Sequence, residues 1–514
     1  MNSATPHPSA EPVRLRAMPR WYATLFSTDA LERFGFFGMQ AVLVLYASAP
    51  RTEGGLGLPI GQAAPLFGAW IGLMFMLSHF GGWCGDRVLG QRRALTSAAF
   101  LGMVGYLLMA LPVGIQTVLG LIVLAVAGGL FKPNHQAMIN LMFSDARQRE
   151  AGISLMYVGV QISALLAPLI TGYLGERVHW RLGFLVAALM MLLCGLRLAN
   201  SGSRFGVVGA APARPLDIRE RAVARRRATI GLGVVLAATL VLWWFGALHL
   251  LVVVALIGIA TVIAPFLGFA ALHRDPGLGS GDRRRLRAFL VVFLGAALFW
   301  MMNAHASSLL NLFARDHTDR MVLGWEVPAS WLQSATPLFI LMLAPVIAAA
   351  LPRIGRRNNV AVKFAIGLVL MGGSFLLMSV ATSLASMGAL VSPGWLLVVY
   401  LAHAGGEIVI ASVSIAAAAE VLPTQFTSRL LGLLWLFAGL GGGLGSGVVQ
   451  LAQLIPEPLY YLLLGSITTG VGLCFVLGRR RLTRSLSRGR GEGSAGSTVP
   501  NRPVGPPPTP IGSG

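Results

Sequence analysis

Fourteen separate runs of mostly apolar residues, each near the length that crosses a bilayer, divide this chain and leave it few other ways to fold. They fall at roughly 21–48, 60–84, 93–114, 117–142, 150–175, 179–199, 229–247, 249–272, 286–313, 330–351, 361–383, 395–418, 428–453 and 458–478. About 20 such residues span the hydrocarbon, and a helix is the form that satisfies its own backbone there. The 514 residues are 55% apolar and 11% charged, too little charge to cover a soluble surface. The expected class is an all-α polytopic membrane protein.

The net charge of +21 suggests nucleic acid at first sight, but its placement argues otherwise. Arginines cluster at 14–20, 87–93, 147–149, 219–227, 283–287, 353–357 and 479–489. With fourteen spans, all of these fall on one side, and the other side carries only scattered Arg51, Arg177, Arg181, Arg315 and Arg320. Basic loops stay in the cytoplasm, which predicts a multi-pass inner-membrane protein with both termini inside. Residues 1–20 are polar, with no cleavable leader expected. Cys84, Cys194 and Cys474 have no paired spacing and read as small buried residues; no disulfide or metal site is expected.

Charges sit deep inside the spans. Glu32 and Arg33 are adjacent in the first, and Lys132 lies in the fourth. A charge at the bilayer centre costs roughly 2.5–3.5 kcal/mol on insertion scales and marks an ion or substrate pathway by default. Asp29 shares the Arg33 face one turn earlier. A carboxylate beside Arg33 stays ionised and takes up a proton when that contact breaks. Lys132 is one of only two lysines and is followed by Pro133; Lys363, the other, begins a later span and reads as an interface anchor. Lysine, unlike arginine, can lose its proton when desolvated. Glu407 is a further carboxylate inside a span, with His403 one turn before it as either a packed polar group or a proton relay. Opposite charges facing across a cavity suit a zwitterion.

Six spans precede and six follow an Arg-rich stretch and an extra helix pair, the layout of major-facilitator transporters. The expected units are a tail at 1–20, a bundle at 21–200, a linker with two helices at 201–284, a second bundle at 285–481 and a disordered tail at 482–514. The loop from Gly81 to Arg93 carries Asp86, Arg87, Arg92 and Arg93 on a glycine turn and reads as a cytoplasmic latch between bundles, or as topology-setting charge; Ile354-Gly355-Arg356-Arg357 weakly echoes it.

Several motifs in order resemble the proton-dependent oligopeptide transporters, a branch of the major facilitator superfamily, here in a divergent bacterial form. Asp29-Ala30-Leu31-Glu32-Arg33-Phe34-Gly35-Phe36-Phe37-Gly38 resembles the family's E-x-x-E-R-F-x-Y-Y-G. Gly129 to Asn134 resembles its lysine motif, Met156 to Ser163 its Y-M-x-I-N-x-G, and Gly406-Glu407 its G-E-L. Asn311 to Ala314 and Pro328 to Gln333 also follow it, as does the extra helix pair. The resemblance implies proton-driven symport of di- and tripeptides or peptide-like compounds by alternating access. It implies that Asp29, Glu32, Arg33 and Lys132 couple protons, that Arg33 and Lys132 bind the substrate carboxylate, and that Glu407 faces its amine.

The departures gather at the substrate site. Phe36, Phe37 and Phe75 stand where the family has tyrosines, and Gln161 where it has asparagine. After Phe299-Trp300, His305 occupies the region of a gate carboxylate, either replacing it or merely packing. Ala411-Ser412 replaces a Ser-Pro, and Trp435 is displaced by one position, about 100° around its helix. Phe36, Phe37, Phe75, Tyr157, Trp300 and Trp435 are candidate pocket walls or plain packing. Proton coupling is therefore expected to persist while ordinary dipeptides become poor substrates. The alternatives are another substrate on the same chassis (an amino-acid conjugate, an anion, a drug-like compound, or export) and a binding protein without transport. No H-E-x-x-H, G-x-S-x-G or Walker motif is present, so no enzyme, cofactor or metal is expected; Gly441 to Gly447 reads as close helix packing. The expected partners are a small zwitterion, protons and the bilayer, with the chain a monomer.

Overall fold

The computed structural model describes residues 18–350, 360–388 and 390–486. Among the described residues, fourteen helical segments are long and apolar enough to cross a membrane. We label them α1 (Arg20–Ser48), α2 (Ile60–Cys84), α3 (Gln91–Ala110), α4 (Ile115–Met142), α5 (Ala146–Ala167), α6 (Trp180–Ala199), α7 (Ile218–Trp244), α8 (Leu250–His273), α9 (Ser280–Asn303), α10 (Ala335–Ala350), α11 (Val360–Ala385), α12 (Gly394–Val421), α13 (Thr424–Val448) and α14 (Glu457–Leu477). Five of them, α1, α2, α12, α13 and α14, start directly after Pro19, Pro59, Pro393, Pro423 and Pro456. A proline there fixes the entering φ and prevents the helix from extending backwards.

In the first half α3 packs on α4 and α6, α2 on α4, and α1 on α5 and α6. In the last half α11 packs on α12 and α14, α9 on α13, and α10 on α12. The halves meet along α2 and α13 and along α5 and α10. Small residues permit close approach of α13: a Cβ on Gly439 would overlap Phe75 of α2 across the halves, one on Gly441 the Ala297 carbonyl oxygen of α9, and one on Gly443 the Thr261 hydroxyl of α8. The glycine run thus packs α13 closely, as its composition suggested.

The inserted pair behaves unequally. α8 lies against both α2 and α13, whereas α7 buries no residue. The Arg-rich segment expected as linker up to 228 is helical from Ile218, because Asp217 and Glu220 form a capping box and no glycine or proline follows until Gly231. The C-terminal segment expected to be disordered from 482 is helical through Leu486, in a short helix Arg479–Leu486. Its remainder, the first 17 residues, and the Arg353–Arg357 cluster with its loop echo lie outside the described residues. Of the cysteines only Cys194 is buried; Cys474 is exposed and Cys84 half-buried, because their helix faces look outward.

Candidate functional site

Glu32 and Arg33 are buried at the centre of the first half, 4% and 5% exposed. Arg33 donates from Nε to Glu32 Oε2 at 2.5 Å and from Nη2 to Oε1 at 2.7 Å. The guanidinium also lies 4.7 Å from the Phe36 ring centre. A bidentate pair with an aromatic floor is how two charges tolerate burial. Phe36 stacks on Trp70 and meets Phe37 edge-on, so the phenylalanines that replace family tyrosines pack on each other and on α2.

Lys132 is half-buried on α4 and, among the described residues, has no carboxylate in ion-pair contact. Its ammonium is held between two rings, 5.6 Å from Phe75 on α2 and 5.0 Å from Trp435 on α13. Those rings are parallel within 5°, 6.4 Å apart. A cation over aromatic faces gains about 0.5–2 kcal/mol while keeping its charge available to a ligand. The displacement of Trp435 in sequence therefore brings it to the lysine instead of turning it away. The charges acting on Lys132 are Arg33, Glu32, Asp29 and Glu407. Glu407, half-buried on α12, acts on both Lys132 and Tyr157, which is exposed on α5. Gln161, one turn beyond Tyr157, is buried, and Trp300 is half-buried on α9. Among the described residues neither Lys132 nor Glu407 has an ion-pair partner, and the two belong to opposite halves.

Two histidines lie elsewhere. His305 is fully buried inside the last half, with Nδ1 on the Met301 carbonyl oxygen at 3.0 Å and Nε2 on the Tyr460 hydroxyl at 2.7 Å. Both ring nitrogens have partners within this half, and the ring meets Phe375 edge-on. His403 is buried too, bonded to Ser374 at 3.1 Å and stacked on Phe375. A residue the sequence analysis passed over joins the cluster instead: His135, one turn after Lys132, faces Asp29 at 3.6 Å. Its i+3 spacing from Lys132 was the available signal.

At the Arg-poor end the halves are tied by hydrogen bonds. Glu176, just beyond α5, accepts from the Ala329 and Ser330 amides at 2.8 and 3.0 Å and from the Ser330 hydroxyl at 2.5 Å. Trp331 Nε1 donates to the Leu169 carbonyl oxygen at 2.9 Å, and Asn311 donates to that of Ala41 at 2.7 Å. Glu176 thus supplies a carboxylate that closes this end, from the half opposite to the one where the sequence lacked it. Beside it, a short hairpin (Met321–Val322 with Trp325–Glu326) presents Glu326 to Arg177 at 2.9 Å and to Arg320 at 2.6 Å. The Arg177 hydrogen bond holds the Glu326 carboxyl below its ordinary range, against slight desolvation and with both arginine charges adding. A depressed carboxylate contributes above its unfolded value and loses that contribution as pH falls through the folded one. This tie is therefore expected to survive mild acid and to fail only in strong acid. Spin labels at Glu53 and Leu323, in a background lacking the three cysteines, would read it: unchanged separation near neutrality, with broadening on acidification that Glu326→Gln reproduces at neutral pH.

The glycine-turn loop makes different contacts from those of a latch between the two bundles. Asp86 accepts from Gln91 at 2.7 Å, and Arg87 pairs with Glu220 at the start of α7, also at 2.7 Å. Arg92 donates to the Gly206 carbonyl oxygen at 2.8 Å, and Arg93 is exposed. The backbone of 209–216 adds bonds to Arg92, Asp86 and Arg87. In this structure the loop is strapped down by the segment that leads into the inserted helices.

With that geometry in hand, comparison with known proteins is direct. The sequence pattern of the POT family matches residues 92–463. An uncharacterised transporter of Bacillus subtilis (strain 168) is 30% identical over 462 residues, covering 88% of this chain and 92% of its own. The di-/tripeptide transporter of Lactococcus lactis subsp. cremoris is 28% identical over 483 residues, covering 91% and 96%. Among solved structures, the peptide transporter POT in complex with sulfate superposes with a TM-score of 0.88 at 30% identity, covering 93% and 98%.

Proposed function

The chain belongs to the POT family of membrane transporters, and from that premise we propose that it carries small peptides or peptide-like zwitterions together with protons. The observation that supports this is Lys132, without an ion-pair partner among the described residues and lying against the Phe75 and Trp435 rings, with Glu407 of the other half near enough for its charge to act on it. A peptide carboxylate fits the cation and its amine fits the carboxylate. The charges of Arg33, Glu32 and Asp29 all act on Lys132, so Asp29, Glu32, Arg33 and Lys132 are read as the proton-coupling set. The walls from Phe36, Phe37, Phe75 and Trp435 favour apolar side chains over polar backbone contacts.

In this reading the Arg-rich end and both termini face the cytoplasm across an inner membrane, and the chain works as a monomer. The Glu176 ties then close the outer side. The boundaries at 21–200, 201–284 and 285–481 separate the two moving bundles from the insert.

The test is counterflow of a labelled dipeptide in proteoliposomes, competed by mixed di- and tripeptides, amino-acid conjugates and nitrate. Apolar dipeptides are expected to compete and nitrate to fail, with Glu407→Gln weakening peptides by about 10–150-fold, the size of a hydrogen bond to a charged group. Competition by nitrate with indifference to Glu407→Gln would move the substrate to the anions.

A further inference from the structure

His135 on α4 and Asp29 on α1 face one another where charge is costly: Nδ1 lies 3.6 Å from Oδ1, and the side chains are 5% and 17% exposed. The other ring nitrogen, Nε2, is 3.0 Å from the Leu25 carbonyl oxygen. A carbonyl oxygen only accepts, so Nε2 carries a hydrogen. A neutral ring would then turn the bare Nδ1 lone pair toward a carboxylate inside the protein, two electron-rich atoms in a low-dielectric site. One proton between them removes that conflict, as imidazolium with carboxylate or as imidazole accepting from a carboxylic acid. The ring is fixed for this contact, stacked on Phe131 at 5.6 Å and 11°.

We propose that His135 and Asp29 hold one proton between them and form a second proton-carrying station beside the Glu32–Arg33–Lys132 cluster. This rests on the proton-coupled reading above. The station is one turn from each part of that cluster: Asp29 precedes Glu32 and Arg33 on α1, and His135 follows Lys132 on α4. A proton leaving Nδ1 for Asp29 Oδ1, and from there the pathway, changes the charge felt by Lys132 and Arg33, on both of which Asp29 acts. Asp29 acts on Tyr22 and Arg33 on α1, Lys132 on α4 and Cys194 on α6, while Tyr106 on α3 acts on Arg33 and Arg197 on α6 reaches the Ala23 carbonyl oxygen. α5 meets α1 there through Gly159 and Ser163.

The test compares gradient-driven uptake with counterflow of a labelled dipeptide, across pH, for the unmodified chain, His135→Gln, Asp29→Asn and the double variant. Counterflow needs no net proton movement, so loss of a proton station lowers the ratio of driven uptake to counterflow, expected here by about tenfold. The pH profile is expected to flatten, and the double variant to match either single one. An unmoved pH profile in His135→Gln, or additive losses, would overturn the proposal while leaving proton coupling intact. If the unmodified chain shows no driven uptake, the transport reading fails and the pair is judged separately by nitrogen-15 NMR of labelled histidines in lipid. The His135 signal is identified by its loss in His135→Gln. An Nδ1 that is protonated or accepts a hydrogen bond at neutral pH supports the pair, and a bare Nδ1 overturns it.

Discussion

Replacing Lys132 with alanine is expected to reduce gradient-driven dipeptide uptake by about 100-fold, near the upper range for coupling between two sites. The reason is geometric. Lys132 is the cation that no carboxylate neutralises among the described residues, and it sits between Phe75 of the first half and Trp435 of the second. It can therefore respond to a substrate carboxylate, to Glu32 and to the relative position of the two halves. Lys132→Arg would keep the charge and the ring contacts but not the ease of giving up a proton. It is expected to retain binding of a labelled dipeptide while losing most driven uptake. Equal losses of binding and uptake in both variants would make Lys132 a binding group only.

The second large effect concerns Arg33. Removing it leaves Glu32 buried without its bidentate partner, and breaking a buried pair from one side costs about 3–5 kcal/mol. Arg33→Leu is thus expected to lower the apparent melting temperature in detergent by several degrees and to cut expression. Adding Glu32→Gln removes the stranded charge, so the double variant should regain most of the stability without regaining transport. A double variant as unstable as Arg33→Leu would mean that Arg33 packing against Phe36, not its charge, holds α1 in place.

Much of the architecture was legible in the sequence because bilayer length and unsatisfied backbone leave few options; the break near Leu248 falls where α7 ends at Trp244 and α8 starts at Leu250. The reading stopped short where local chemistry extended a helix beyond its apolar run. The Asp217–Glu220 capping box starts α7 among arginines that hydropathy assigns to a linker. At the site, Glu32, Arg33, Lys132 and Glu407 stood out because charge inside an apolar run is conspicuous. Contacts between helices distant in sequence were not readable. His135 carries no sequence signal beyond its spacing from Lys132, and the Asp29 that meets it comes from α1. Trp435 is one position off the family pattern, yet the packing of α2 on α13 lets it meet Phe75 and the lysine. His305 lay close to a family gate position in sequence, and its ring was claimed by Tyr460 on α14. Glu176 escaped notice because its partners are backbone amides, which no sequence pattern displays.

Proton coupling through the Lys132 region is tested most directly by proton movement itself. Proteoliposomes would be loaded with a pH-sensitive dye and given an apolar dipeptide outside, with no imposed pH gradient and a negative interior potential. Acidification of the lumen on dipeptide addition, absent with Lys132→Ala, is the predicted result. Dipeptide entry with no change in lumenal pH, equal in the two proteins, would contradict it.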